Sequence, residues 1–335
     1  MSAGAGTTAN RVVVLSRILK SNPDAMAELD RAGLEVVLDL AGYNALGGDD
    51  AAWRRVLATV TGLVVGLQPV SGETFAAAPG LRYVLRMGTG LDNIDLAAAA
   101  AHGVTVEALP GLNAPAVAEY AFGLLLAAAR RIPEADRSVR AGEWSRFSGR
   151  HLGGRTLGLI GYGEIARLMV PKARGFDMDV IAYRRSAAAN GDGVPQVGLD
   201  ELLARSDFIS VHVPLTEQTR SLIGRREFGL MRDGVVLVNT ARGAVVDERE
   251  LYRALVDGKV AACGLDVFEN EPPGDSPLLA LPNVVASPHN GGYSDVITNL
   301  TALTAAHRLI AGVGVGGAAQ DEAAKTLGAP ALPPQ

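Results

Sequence analysis

The run Gly161-Tyr162-Gly163-Glu164-Ile165-Ala166 has the residue types and spacing to cradle a diphosphate. Gly161 permits a tight turn, Gly163 lets an anion approach the backbone, and Ala166 lets the following helix lie close to its sheet. The apolar run 156–160 precedes the turn and helical sequence follows it. The free N–H groups at the start of that helix, around Glu164 and Ile165, then face the anion. Such a turn suits a dinucleotide. The next strand-like run ends in Tyr183-Arg184-Arg185-Ser186. An NAD site normally sets a carboxylate there for the ribose hydroxyls. Arg184 instead suits a 2′-phosphate held in a guanidinium fork, with Arg185 and Ser186 as further donors. The expected cofactor is NADP, with NAD as the alternative. Pro171 lies inside the helix after the turn, and an interior proline predicts a bend.

Three later segments each leave an apolar run. Thr240, Ala241 and Arg242 follow 235–239, with Asp247 and Glu250 spaced as a helix cap. Asp266, Glu269 and Glu271 follow 261–265, and His289, Asn290 and Gly291 follow 284–286. Ligands of open parallel sheets bind beyond the carboxyl ends of the strands, so these segments are candidates for one site. Asp266 could reach the nicotinamide end of a cofactor or cap backbone groups. His212, after the run 208–211, reads as a wall of the cofactor site, Glu269 as a solvated loop charge and Cys263 as a small core residue. No cluster of His, Cys, Asp and Glu has ligand spacing, so no metal is expected.

The elements that must position these residues alternate strand and helix. Short apolar runs at 12–15, 34–38, 63–65, 83–85 and 104–106 form one series, with helical sequence between them. The pattern restarts at 156–160 and continues through 180–183, 208–211, 235–239, 261–265 and 284–286. Continuous apolar runs separated by helices predict parallel sheets covered on both faces, here in two α/β units. Residues 116–130 form a helix apolar on both sides, either a core helix of one unit or a hinge or dimer helix. A long helix over 293–311 has no strand after it and is expected to cross back to the first unit. From 314 the sequence is Gly-, Ala- and Pro-rich and reads as a mobile tail. The chain has 335 residues, 48% hydrophobic and 20% charged, with a net charge of −5, which argues against disorder and against a basic nucleic-acid surface. No run reads as a membrane span, Met1–Asn10 does not read as an export signal, and the single Cys263 cannot form an internal disulfide. The expected compartment is the cytoplasm.

Further segments make a resemblance definite. They are Met87-Gly88-Thr89-Gly90-Leu91-Asp92-Asn93-Ile94-Asp95, Pro110-Gly111-Leu112-Asn113 with Val117-Ala118-Glu119, and His212-Val213-Pro214-Leu215-Thr216 with Thr219. With the glycine turn and the three strand-end segments, the chain resembles the D-isomer-specific 2-hydroxyacid dehydrogenases almost from end to end. The resemblance implies two Rossmann-like parallel-sheet domains separated by a cleft. A substrate (lid) domain would span 1–110 plus 293–313, and a dinucleotide-binding domain 111–292. It implies Arg242, Glu271 (just before Pro272) and His289 as catalytic residues. Gly161, Gly163, Glu164, Ile165, Arg184, Arg185, Ser186, Val213, Pro214, Thr219, Thr240, Ala241, Asp266 and Gly291 would bind the cofactor. Met87, Gly88 and Arg242 would bind the substrate, the first two through amides that hold its carboxylate.

The expected reaction is hydride transfer from NADPH to a small 2-oxo acid of the glyoxylate or hydroxypyruvate type, giving a D-2-hydroxy acid. Alternatives are a 3-phosphoglycerate dehydrogenase, a reductase of an unusual 2-oxo acid such as a phosphonate, and a dinucleotide-sensing scaffold of the co-repressor kind. A phosphorylated substrate would need a positive pocket, for which Arg82, Arg86 and Arg150 are candidates. Relatives are usually homodimers through the cofactor domain; Trp144 suits that interface or an anchor within one subunit. Two departures stand out: Ala108 where many relatives have Asn, and Met87 where Val is usual.

Overall fold

The computed structural model describes residues 10–37, 51–185 and 192–314. The chain divides into one unit made of Met1–Leu112 and Ser294–Gln335 and another made of Asn113–Tyr293. Leu38, Asp49, Ser186 and the tail from 315 fall outside the described residues.

In the first unit, strands β1 (Arg11–Val14), β2 (Glu35–Val37), β3 (Gly62–Val65), β4 (Tyr83–Arg86) and β5 (Thr105–Ala108) alternate with helices. The helices are α1 (Arg17–Lys20), α2 (Pro23–Arg31), α3 (Ala51–Leu57), α4 (Gly72–Ala77) and α5 (Leu96–Ala101). The strands are parallel, in the order β2-β1-β3-β4-β5. The apolar runs serve two faces at once: Val12, Val14 and Leu85 face one core, and Val13, Leu15 and Val84 face the other. This is why they read as continuous rather than alternating. Local signals set the helix starts. The Asn22 side chain accepts the Ala25 N–H, with Pro23 in the first turn, and Asp95 accepts the Ala98 N–H.

The second unit starts with α6 (Ala114–Ala129) and α7 (Ile132–Arg140). It continues β6 (Thr156–Ile160), α8 (Glu164–Arg174), β7 (Asp179–Tyr183), α9 (Leu199–Arg205), β8 (Phe208–Val211), α10 (Arg225–Leu230), β9 (Val235–Asn239), α11 (Glu248–Val256), β10 (Val260–Leu265) and β11 (Val284–Ala286). Its six strands are parallel, in the order β11-β10-β9-β8-β6-β7. The order reverses between β6 and β8, the switch point where open α/β sheets bind ligands. Helix α6 is apolar around most of its circumference because it is sandwiched within this unit, between α8 and the strands β9 and β10. Gly264 of β10 allows that approach, since a Cβ there would lie 2.9 Å from the Leu124 Cβ. Helix α8 runs on through Pro171, which lies on its exposed face.

The last helix, α12 (Asp295–Val313), belongs to the first unit, packing on α1, α2, β3 and β4. At 19 residues it is long and apolar enough to cross a membrane by length and composition, contrary to the reading that no run was. Its apolar face, including Ala302, Ala305, Leu309 and Val313, is instead part of the first core. Arg308 pairs with Glu107 at 3.1 Å, and Asn299 accepts from Asn22 at 2.7 Å. Core burial, not lipid, accounts for its hydropathy.

Candidate active site

The described residues assigned from sequence to the cofactor all lie just beyond strand ends of the second sheet, at its carboxyl edge. Gly161 to Ile165 join β6 to α8, Arg184 and Arg185 follow β7, and Val213 and Pro214 follow β8. Thr240 and Ala241 follow β9, Asp266 follows β10 and Gly291 follows β11. Thr219 closes the turn after Pro214, its hydroxyl donating to the Pro214 carbonyl at 2.6 Å and accepting the Thr216 N–H at 2.8 Å.

The glycine turn fits a diphosphate. Gly161 has φ +91°, and a Cβ there would lie 2.8 Å from the His212 carbonyl carbon, so β6 and β8 leave the sheet in contact. Nothing lies within 4 Å of a Cβ built on Gly163, and Ala166 is fully buried under the helix. Beside the turn, both ring nitrogens of His212 and the hydroxyl of Thr240 are closed off without a hydrogen-bond partner. Ser210 and Val238 pair in register, so His212 and Thr240 are neighbours at the edge. Buried polar atoms left unpaired in a chain alone are the kind a polar ligand or water satisfies. Burial pushes the His212 imidazole down to about 4, so it is neutral there.

Three side chains from β9, β10 and β11 meet at the same edge. His289 Nδ1 lies 2.8 Å from Glu271 Oε2. Glu271 Oε1 accepts the Phe268 N–H at 3.1 Å, which aims the carboxylate. Burial pushes the Glu271 carboxyl up, but the hydrogen bond and charge of His289, the Phe268 N–H and the charge of Arg242 outweigh it and hold the group below its ordinary range. Arg242 therefore acts on the same carboxylate. Its side chain is half-buried, and Nη1 donates to the Ala241 carbonyl at 2.8 Å. Asn239 holds its loop, Nδ2 donating to the Arg242 carbonyl at 2.9 Å and Oδ1 accepting the Ala241 N–H at 3.0 Å.

Asp266 is almost fully buried and is spent on the histidine loop. Oδ1 accepts from the Ser287 hydroxyl at 2.6 Å and the Asn290 N–H at 2.7 Å, and Oδ2 accepts the Gly291 N–H at 2.7 Å. Of its two readings, the backbone-capping one is what these bonds display. They hold His289 at φ +53°, a left-handed conformation that costs energy for a residue with a Cβ. Gly243 was missed. A Cβ there would lie 1.9 Å from the Phe268 carbonyl carbon, so only glycine lets the Arg242 loop reach the loop that carries Glu271. A glycine directly after the arginine was the available signal.

Met87 and Gly88 lie at the carboxyl end of β4 in the first unit. The expectation for their amides needs correction. Met87 N–H donates to the Val65 carbonyl at 2.8 Å and Gly88 N–H to the Arg86 carbonyl at 2.9 Å, so neither is left for a substrate carboxylate. Arg86 is buried, with Nη1 2.5 Å from the Met87 carbonyl oxygen. Arg82 and Arg150 lie at the opposite, amino ends of their sheets, beside Asn10 and Asp233 respectively.

A family model described as the NAD-binding domain of D-isomer-specific 2-hydroxyacid dehydrogenases matches residues 122–291. The chain belongs to this family. As a D-2-hydroxyacid dehydrogenase it is an NAD(P)-dependent oxidoreductase with two Rossmann-like domains. It is 46% identical over 243 residues to a hydroxypyruvate reductase of Thermotoga maritima, covering 71% of this chain and 79% of that protein. It is 48% identical over 226 residues to a D-3-phosphoglycerate dehydrogenase of Archaeoglobus fulgidus, covering 66% of this chain and 43% of that longer protein. A crystal structure of an NADPH-dependent glyoxylate/hydroxypyruvate reductase from Sinorhizobium meliloti, in complex with NADP and malonate, superposes with a TM-score of 0.78 at 31% identity. That match covers 90% of this chain and 93% of the other.

Proposed function

We propose that this dehydrogenase is an NADPH-dependent reductase of a small 2-oxo acid of the glyoxylate or hydroxypyruvate type, forming a D-2-hydroxy acid. The observation that carries the reading is the His289–Glu271 pair at 2.8 Å with Arg242 beside it, at the edge that also bears the glycine turn. Arg184 after β7 supports NADP over NAD, because a guanidinium there attracts a 2′-phosphate and a carboxylate would repel it.

A bound nicotinamide dinucleotide supplies the hydride that reduces the substrate carbonyl. Gly161, Gly163, Glu164 and Ile165 hold its diphosphate, and Arg184 and Arg185 its adenosine ribose. Val213, Pro214, Thr240, Ala241 and Gly291 line the rest of the cofactor. Arg242 binds the substrate carboxylate through charge-assisted hydrogen bonds and polarises the adjacent carbonyl. His289 donates a proton from Nε2 to the carbonyl oxygen, while Glu271 holds Nδ1 and so orients the ring. In the oxidative direction the neutral ring takes the proton back at Nε2. The amides of Met87 and Gly88 are engaged, so Arg242 carries the carboxylate in this scheme.

We assign the subunit interface of a homodimer to the stretch 141–149, where Trp144 is 81% exposed. The reading as a whole is tested by NADPH and NADH consumption over a panel of glyoxylate, hydroxypyruvate, 3-phosphohydroxypyruvate and phosphonate-bearing oxo acids. Fast turnover of the first two with NADPH is expected. Preference for a phosphorylated acid, or cofactor binding with no turnover, would replace it with a phosphoglycerate dehydrogenase or a sensing scaffold.

A further inference from the structure

Glu248 opens α11, where a carboxylate is favoured by the free N–H groups of the first turn and would be as well placed pointing into water. It turns inward instead. Oε1 accepts the Glu269 N–H at 2.6 Å, reaching across to the loop that leaves β10. The half-buried position is unfavourable to the charge. Burial pushes the Glu248 carboxyl up, the Glu269 N–H pulls it down by less, and the charges of Glu269 and Glu271 push it up further.

The amide that Glu248 holds is next to the one that aims Glu271. Phe268 N–H donates to Glu271 Oε1 at 3.1 Å, and Glu271 Oε2 lies 2.8 Å from His289 Nδ1. Two carboxylates thus take two successive amides of one loop, Glu271 from within it and Glu248 from outside. The outside anchor is itself pinned: Asp247 N–H donates to the Ile223 carbonyl at 2.9 Å, and the Asp247 carboxylate accepts the Glu250 N–H at 3.0 Å. Gly243 meets the same place, since a Cβ there would lie 2.2 Å from the Glu269 nitrogen. The segment that bears Arg242 therefore reaches the Glu271 loop twice, by backbone contact at Gly243 and by a side-chain bond at Glu248. That bond is at an exposed position, where water can replace the acceptor, so the fold has little need of it.

We propose that Glu248 is a positioning residue for Glu271: its hold on the Glu269 N–H keeps the 268–271 loop in the geometry that presents the Glu271 carboxylate to His289. The proposal rests on the role given to Glu271 above. An arrangement held by one charge-assisted hydrogen bond is favoured by about 10-fold or more, so loss of the bond lets most of the loop population leave it. A plain helix-start acid would affect stability alone, whereas a positioning residue acts on the chemical step through Glu271.

Steady-state kinetics of the full chain with NADPH and glyoxylate or hydroxypyruvate, fluorescence titration of NADPH and thermal midpoints separate the two. The variants are Glu248→Ala, Glu248→Gln, Glu271→Ala and the double alanine variant. Glu248→Met, which keeps the side-chain length without a good acceptor, repeats the test should the alanine chain not fold. Glu248→Ala is expected to lower kcat about 10-fold, with substrate KM and NADPH affinity changed by less than about 2-fold. Glu248→Gln keeps an oxygen to accept the amide and is expected to recover most of the loss. In the Glu271→Ala background, removal of Glu248 is expected to add less than about 2-fold, because both act through one carboxylate. Hydrogen exchange of the 268–271 amides is expected to quicken in Glu248→Ala and not in Glu248→Gln. An unchanged kcat in Glu248→Ala, a parallel loss of NADPH affinity, no recovery in Glu248→Gln, or an effect that persists without Glu271 would overturn the proposal alone. A Glu271→Ala chain with wild-type kcat would overturn the role of Glu271 and the proposal with it.

Discussion

Asp266 and His289 are joined through the backbone and across the loop: the His289 N–H donates to the Asp266 carbonyl at 2.8 Å, and the Asp266 carboxylate takes the next two amides, Asn290 and Gly291, each at 2.7 Å. One buried carboxylate therefore fixes the main-chain path on which the imidazole rides. An amide in its place would turn an NH2 group toward a backbone N–H. Asp266→Asn is expected to cost about 1–3 kcal/mol of stability, the usual penalty for a buried donor without an acceptor. It should also lower kcat. Chemical denaturation together with steady-state kinetics checks both, and a variant with wild-type kcat would show that the loop does not need this carboxylate.

His289→Asn removes the proton donor and keeps a side chain of modest size. Turnover is expected to fall by about 10²- to 10⁴-fold, with NADPH affinity nearly unchanged. Titration of the cofactor beside kinetics distinguishes this from a collapsed site. Near-normal turnover would take His289 out of the acid's role.

Glu271 has its folded pKa depressed by a net balance in which His289, the Phe268 N–H and Arg242 outweigh burial. A depressed carboxyl adds stability above its unfolded value, about 4.3, and loses it as the pH falls through the lower folded value. The stability gap between wild type and Glu271→Gln should be flat near neutrality and close only below about pH 4. Unfolding at several pH values tests this. A gap that widens in acid would contradict the assigned sign.

Gly243→Ala would set a methyl carbon 1.9 Å from the Phe268 backbone. Backbone cannot turn aside as a flexible side chain can, so one of the two loops must shift. A loss of about 1–3 kcal/mol is expected from overpacking. Catalysis should fall further than stability, because Arg242 and Glu271 ride on the two displaced loops. Comparison of unfolding free energy with kcat/KM at a temperature where both proteins are folded decides the matter.

Much of the second unit could be read from sequence, because its strands are buried on both faces and its loops announce themselves. The run 156–160 coincides with β6, 208–211 with β8 and 235–239 with β9. Arg242, Glu271 and His289 could be paired because each follows the carboxyl end of one of three neighbouring parallel strands. Hydrogen-bond occupancy was not legible: residue types do not reveal that the Met87 and Gly88 amides are engaged. Nor does spacing disclose a close approach between loops far apart in the chain, such as the one Gly243 permits. Hydropathy measures burial without naming the medium, and α12 reached a membrane-like length while serving a protein core.

That same helix makes the second domain an insertion within the first. During synthesis, Val12, Val14, Val64 and Leu85 wait for Ala302, Ala305 and Leu309 until 181 intervening residues, Asn113–Tyr293, have emerged from the ribosome. The nucleotide-binding half can complete its own sheet during that interval. The nascent amino-terminal half is left with an unclosed apolar face, and this is the part of the chain on which a chaperone would have most to hold.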